Sequence, residues 1–518
     1  MALTRLFSSF RPAFPSLADP LYLTLFLLLL FISTLIVRRL FSSPLCSVPG
    51  PILWRLSRLS GLYASYAGHE ATLYTNMFRK YNTPILRIGP NEVLIADGNA
   101  LSPIYHASGG MDKADCYNNF HIDGFPTLFS AVDRAHRLPR ARSVKGLFAT
   151  RSLREDEAKV ENAVQLGVER LSRERKRALN DGGPVDLLSA CRAVALDVVT
   201  SYLFGTSYGG VEEETNHLSA GAFVDAFVGV GRFFFLPPWL FGLVDRFCQW
   251  AFETRETVQS MDLVDSFVRG LVDDANVEDG TYQAQMLKLG LSKDEVVAQC
   301  KDLIFAGTDS SGMNLSTFCW NVTQQPAIYN RLKDELRRAR EEDIDCDLST
   351  LPYFRACIRE TLRLSMANPT RLPRVVPEGG WTFQPTPDFS YSATKSSSKW
   401  NQKVYFLPAG TLVSVQIHTL HYSPAIFPDA GRFDPDRWLT ASDQQLEKMN
   451  RDWIPFSVGS RQCIARNLAM VELNLACAAI IEAGVLSGAK PVGARIEILE
   501  WFNSRVRGER IEIEYSKE

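Results

Sequence analysis

Hydrophobic residues run without a charge from Leu21 to Val37, LYLTLFLLLLFISTLIV, and Arg38 and Arg39 follow directly. A run of that length is at the short edge of what spans a ~30 Å hydrocarbon core, and it predicts a transmembrane helix over 21–37. No small-x-small cleavage site follows, so the segment is expected to stay attached rather than be removed as a signal peptide. Arg38, Arg39, Arg55 and Arg58 outnumber Arg5 and Arg11 ahead of the run, which places the body on the cytosolic side of a single-pass anchor. Pro44, Pro49, Gly50 and Pro51 interrupt helical continuation, so 38–52 reads as a hinge, 1–20 as a leader and 53–518 as one globular body.

Within the body the apolar positions recur mostly at helical spacing, with no internal repeat, so the fold class is mainly α. Short runs at Ile85–Ile88, Val93–Ala96, Leu412–Gln416 and Ile511–Tyr515 predict a small β subdomain beside the helices. The clearest helix starts at Ser292, where Ser-Lys-Asp-Glu has capping-box spacing, and continues to Gln325 before Pro326 stops it. At 1.5 Å per residue it crosses ~50 Å, the width of a domain. Two stretches break the pattern. Glu378–Lys403 is polar and Ser-rich, as a surface excursion would be, and Phe233–Leu240 is aromatic with a Pro-Pro break.

Composition narrows the function classes. Lys and Arg total 56 against 58 Asp and Glu, and the formal charge of −2 supplies no field for nucleic acid. Hydrophobic residues at 46% exclude global disorder. The ten cysteines lack the paired short spacings of zinc sites and the density of disulfide-stapled domains, which fits a reducing compartment.

The strongest chemical signal is Phe456-Ser-Val-Gly459-Ser-Arg461-Gln-Cys463-Ile-Ala465, followed by a helical run from Asn467 to Ala476. A turn loosened by Gly459 can present backbone N–H groups to the Cys463 sulfur, and the helix start adds positive potential, so a thiolate metal ligand is favoured there. A buried free cysteine is the alternative reading of those residues. In the middle of the long helix stands Ala306-Gly307-Thr308-Asp309-Ser310-Ser311. Ala306 and Gly307 leave room beside the helix, and Asp309 and Ser310 form an acid-alcohol pair suited to relaying protons.

The cysteine loop resembles the haem-binding loop of cytochromes P450, Phe-x-x-Gly-x-Arg-x-Cys-x-Gly, with Ala465 in place of the last glycine. Glu360-Thr-Leu-Arg363 matches that family's Glu-x-x-Arg helix, expected to form a buried network with Phe433-Asp-Pro-Asp-Arg437-Trp438. Ala306–Ser311 is similar to its oxygen-binding Ala-Gly-x-Asp-Thr, with Ser310 keeping the hydroxyl of the usual Thr but losing the methyl that restricts its rotamers. The resemblance covers nearly the whole chain. It implies a P450 fold over 53–518, haem b with Cys463 as the iron ligand, and Phe456, Ala306 and Gly307 beside the haem. It also implies propionate partners at Arg140, Arg374 and Arg461, with His136 in the place of an aromatic ring.

A haem-thiolate monooxygenase of microsomal type is therefore expected, resembling fungal secondary-metabolite enzymes. It would insert one atom of O2 into an apolar terpenoid, polyketide or alkaloid intermediate. Electrons would come from NADPH through a separate NADPH-cytochrome P450 reductase, since no Gly-x-Gly-x-x-Gly unit or flavin domain is present. The anchor would lie in the endoplasmic reticulum membrane. Arg134, Arg137, Arg140, Arg142 and Lys145 form a basic stretch for the reductase, and Phe120, Phe125 and Phe227–Trp239 an apolar approach for substrate. Other outcomes of the same resemblance are an isomerase, dehydratase or desaturase that inserts no oxygen, and a membrane-anchored haem carrier or sensor. Asn314-Leu-Ser316 and Asn321-Val-Thr323 match a glycosylation sequon but fall inside the long helix and are set aside.

Overall fold

A computed structural model describes residues 20–213, 218–387, 389–391, 400 and 402–515. Residues 1–19 of the 1–20 leader and part of the 378–403 insertion (388, 392–399 and 401) lie outside the described residues.

The apolar run forms the helix Pro20–Phe41, longer than the 21–37 expected, and its apolar side chains stand clear of the body. It is long and apolar enough to cross a membrane. The helix Leu187–Val199 and its continuation are comparably apolar but are buried against the core.

The long helix runs from Lys293 to Gln324, with Ser292 Oγ accepting from the Glu295 N–H at 3.3 Å, as the capping-box spacing requires. Most of it is buried, so it is the axis on which the helices Leu187–Val199 and Arg466–Glu482 pack. Two glycines allow close approach: a Cβ at Gly307 would meet Val199, and one at Gly312 would meet Arg192 at 2.6 Å. The missing side chain of Gly307 is thus partly taken up by a neighbouring helix, besides leaving room in the cavity described below.

Five short strands form the larger sheet, ordered Ile85–Gly89, Glu92–Ile95, Leu412–Val415, Arg374–Val375, Asp112–Lys113. All neighbours are antiparallel except Glu92–Ile95 and Leu412–Val415, which run parallel. The register sets Lys113 opposite Arg374. The strand at the chain end is Glu512–Tyr515.

The acid-arginine pair closes as expected. Arg363 donates to both Glu360 oxygens at 2.8 and 2.9 Å, Arg437 Nε to Oε1 at 3.0 Å and Trp438 Nε1 to Oε2 at 3.0 Å. Burial acts to raise the Glu360 pKa, but Arg363, Arg437 and the Asp434 N–H outweigh it and hold the carboxyl below its ordinary value. Asn314 and Asn321, the sequon positions, are buried in the long helix, where Asn314 accepts from Ser365 and Asn321 bonds the Thr317 carbonyl.

The insertion is not wholly a surface excursion. Trp381–Phe383 pairs antiparallel with Tyr405–Leu407, and Tyr391 is fully buried with its hydroxyl on the Thr419 carbonyl at 2.6 Å. The Phe233–Leu240 run divides: Phe234 and Phe235 are core residues, whereas Trp239 lies outside on the helix Pro238–Phe252, which the second proline begins.

Candidate active site

One cavity joins the cysteine loop, the middle of the long helix and the five-stranded sheet. The loop is closed by the Cys463 N–H donating to the Phe456 carbonyl at 3.0 Å. Gly459 has φ +82°, and a side chain there would also collide with the Tyr105 carbonyl, so the loop's path depends on glycine at this point. Cys463 opens onto the cavity, three residues before the helix Arg466–Glu482 begins. Enclosure by protein raises its thiol pKa, while the Ala465 N–H and Arg466 act in the opposite direction.

Across the cavity, Ala306, Gly307 and Ser310 form part of the wall, and Ser310 Oγ donates to the Ala306 carbonyl at 2.8 Å. Asp309 is placed differently. It is 3% exposed, does not border the cavity and is held by Arg192 Nη2 at 2.6 Å, while Arg192 Nη1 reaches Asp225 at 3.0 Å. Burial raises the Asp309 pKa against the pull of Arg192. The acid and the alcohol therefore face different surroundings, because consecutive helical residues are ~100° apart.

Four cations line the wall: Lys113, Arg137, Arg374 and Arg461. Their hydrogen bonds go to neutral acceptors. Arg461 donates to the carbonyls of Ala131 and Val132 at 2.8 and 3.0 Å, Arg374 to Tyr117 Oη at 3.1 Å, Arg137 to the Leu128 carbonyl at 3.1 Å and Lys113 to the Phe129 carbonyl at 2.5 Å. None of the four makes a salt bridge to a carboxylate among the described residues. Burial first, then Arg137 and Arg374, lowers the Arg461 pKa to about 10. Burial and the three arginines push Lys113 well down. Like charges opposite one another across a strand pair are unfavourable, so this cluster is built for an anion.

Two residues expected beside the haem stand elsewhere, the propionate partner Arg140 and His136 in the place of an aromatic ring. Arg140 is ion-paired with Glu295 on the first turn of the long helix at 2.6 Å, and His136 lies 3.8 Å from the same carboxylate; neither borders the cavity. Their helix, Arg134–Val144, is capped by Asp133 and turns Arg137 inward, so Arg137 occupies the wall where Arg140 was expected. The same contacts reduce the basic stretch: Arg134 pairs with Asp112, leaving Arg142 and Lys145 exposed.

Several site residues carry little sequence signal. Arg192 is detectable only as an arginine within an apolar run, and Lys113 by nothing local. His421 lines the cavity with Nδ1 donating to the Arg363 carbonyl at 3.0 Å and Nε2 accepting from the Ile454 N–H at 2.9 Å, which ties the buried ion network to the entry of the cysteine loop. Burial and Arg363 lower its pKa to about 3, so it is neutral there. Elsewhere in the cavity wall, Phe120, Phe129 and Phe502 meet with ring centroids 5.4 to 5.8 Å apart, and Asn503 adds a polar edge.

The chain matches the Cytochrome P450 family over residues 48–384 and 392–483. It is 34% identical over 505 residues to cytochrome P450 monooxygenase mfmF of Annulohypoxylon moriforme, covering 93% of this chain and 97% of that one. Cytochrome P450 monooxygenase orf2 of Aspergillus niger is 28% identical, covering 85% and 86%. Averantin hydroxylase of Dothistroma septosporum is 27% identical, covering 88% and 83%.

Proposed function

The chain belongs to the cytochrome P450 family, a haem-thiolate monooxygenase family, and from that premise we propose that it inserts one atom of O2 into an apolar small molecule of fungal secondary metabolism. The observation that carries the reading is the presence, in one cavity, of an open cysteine and four cations that make no salt bridge to a carboxylate among the described residues. Those donors fit haem b. Cys463 would supply the thiolate ligand, with Phe456 and Ala465 beside it in the cavity wall, and Arg137, Arg374, Arg461 and Lys113 would neutralise the propionates. The haem, when bound, supplies dioxygen activation.

The remaining work belongs to the chain's own side chains. Ala306 and Gly307 keep the wall low enough for a small ligand, and Ser310 presents a hydroxyl to it. Asp309, held by Arg192, can contribute a proton only by turning away from that arginine. Phe120, Phe129 and Phe502 exclude water and orient an apolar substrate, and Asn503 can take one polar group of it. Electrons come from NADPH through a separate NADPH-cytochrome P450 reductase. The helix Pro20–Phe41 anchors the protein in the endoplasmic reticulum with the body in the cytosol, in keeping with Arg38 and Arg39 at its end.

The test is product analysis of the protein co-expressed with a microsomal reductase and fed apolar terpenoid and polyketide extracts under isotope-labelled O2. A product carrying one labelled oxygen atom is expected. A new product without label would overturn oxygen insertion in favour of rearrangement or desaturation.

A further inference from the structure

The segment between the apolar helix and the body is bonded into the body along its length. Arg87, in the strand Ile85–Gly89, is fully buried. Its guanidinium donates to four neutral acceptors: the Gly89 carbonyl at 3.3 Å, the Pro90 carbonyl at 2.7 Å, Ser43 Oγ at 3.2 Å and the Arg39 carbonyl at 3.3 Å. Arg39 stands in the last turn of the helix Pro20–Phe41, where backbone carbonyls lack partners within the helix. Burying a guanidinium is unfavourable unless its donors are used, and here they join two parts of the chain. The backbone closes the join as well. The Arg87 N–H donates to the Pro49 carbonyl at 2.7 Å, and a Cβ on Gly50 would collide with the Arg87 carbonyl, so the segment lies flat against the strand. Leu45 and Val48 are core residues together with Ile85 and with Leu407, from the strand that follows the 378–403 insertion. Arg39 also donates to the Leu56 carbonyl, and Arg55 to the Val48 carbonyl at 3.2 Å. A linker free to swing leaves its backbone to water and buries no side chains, unlike this one.

We propose that Arg87 fastens the membrane helix to the sheet, so that the body keeps one fixed attitude to the bilayer instead of swinging on a hinge at 38–52. The proposal rests on the reading of Pro20–Phe41 as a membrane anchor. Two Arg87 acceptors, Gly89 and Pro90, belong to the turn after its own strand. The other two belong to the end of the anchor and to Ser43, the cap of the short helix Pro44–Ser47. A guanidinium is planar and its donors leave in set directions, so two bonds to each side fix an angle as well as a distance. The same sheet supplies Lys113 and Arg374 to the cavity wall, and the cavity therefore inherits that attitude. Arg87 touches neither substrate nor cofactor and is a positioning residue.

The test uses full-length, haem-loaded protein in oriented phosphatidylcholine bilayers: wild type, Arg87→Met, Arg87→Lys and a chain with a short glycine insert between Val37 and Arg38. Retention on vesicles through an alkaline carbonate wash is measured first. A wild type that washes off refutes the anchor reading, and this proposal with it. Given retention, polarised absorption of the Soret band reads the tilt of the body, and hydrogen exchange over 42–51 reads the join. Wild type should show strong dichroism and slow exchange. Arg87→Met should exchange about tenfold faster there and lose about half the dichroism, at unchanged haem content and vesicle retention. Arg87→Lys should resemble Arg87→Met, because a single ammonium cannot bond both sides at set angles. The glycine insert keeps every bond of the join and frees the membrane helix, so its dichroism should fall while exchange stays slow. A wild type without dichroism, or equal dichroism in wild type and the glycine insert, would overturn the proposal. Should Arg87→Met fail to fold, the glycine insert decides alone: lost dichroism supports the fixed attitude, and retained dichroism refutes it.

Discussion

His421 and Glu472, both buried at the cavity, give opposite pH signatures. His421 has its pKa lowered from 6.5 to about 3, so below pH 6.5 the unfolded chain takes up a proton that the folded chain refuses, and its contribution to stability is lost as pH falls. Glu472 has its pKa raised from 4.5 to about 8, so the folded chain keeps a proton that the unfolded chain has released. Its contribution is full below pH 4.5 and is lost as pH rises towards 8. The two slopes oppose one another between 4.5 and 6.5, where Asp302, raised to about 6 by burial, adds to the Glu472 side, and the Glu472 slope continues from 6.5 to 8. Urea unfolding at several pH values should therefore show wild type losing up to about 1.4 kcal/mol per pH unit relative to Glu472→Gln over that upper window. Parallel curves for the two proteins would contradict the assignment. A third residue-scale expectation concerns the cation cluster: Arg461→Ala should lower the haem retained on purification while leaving the apoprotein folded, as read by haem content against circular dichroism. At this scale, legibility follows distance along the chain. Phe456, Gly459, Arg461 and Cys463 lie within one turn and its flanks and could be read together. Lys113 faces Arg374 only because two distant strands pair in that register, which nothing in either segment specifies.

Among the elements, the ion network around Glu360 has a direct energetic consequence. Arg363 and Glu360 are both fully buried, so removing one charge leaves the other without compensation. Glu360→Gln should destabilise the fold by about 3–5 kcal/mol in urea unfolding, and a change below about 1 kcal/mol would show the network to be dispensable. That network was legible because an i, i+3 spacing places both groups on one helix face. The long helix was legible for a similar reason, its ends being written locally in Ser292 and Pro326. What failed was the inward face of the helix Arg134–Val144. Its spacing allowed either Arg137 or Arg140 to face the cavity, and the choice was made by Glu295, more than a hundred positions away. The pairing of Asp309 was hidden in the same way, since its partner Arg192 comes from a separate helix that Gly312 allows to approach.

For the molecule as a whole, the anchor and the body are separable in this account. A chain lacking residues 1–37 should leave the membrane fraction on sedimentation yet keep the haem spectrum of the full chain, because the apolar side chains of the helix Pro20–Phe41 stand clear of the core. The helical fold class, the N-terminal apolar helix and the position of the cysteine loop followed from period and local motif; the cavity did not, because its walls come from a sheet, several helices and several loops scattered along 518 residues. The claim on which the rest depends is that Cys463 provides a thiolate to haem held in that cavity. It is tested most directly by the reduced carbon monoxide spectrum of the purified wild type beside Cys463→Ser. The account predicts the red-shifted Soret band of thiolate ligation in the wild type and its loss in the serine variant; the same band in both would contradict it.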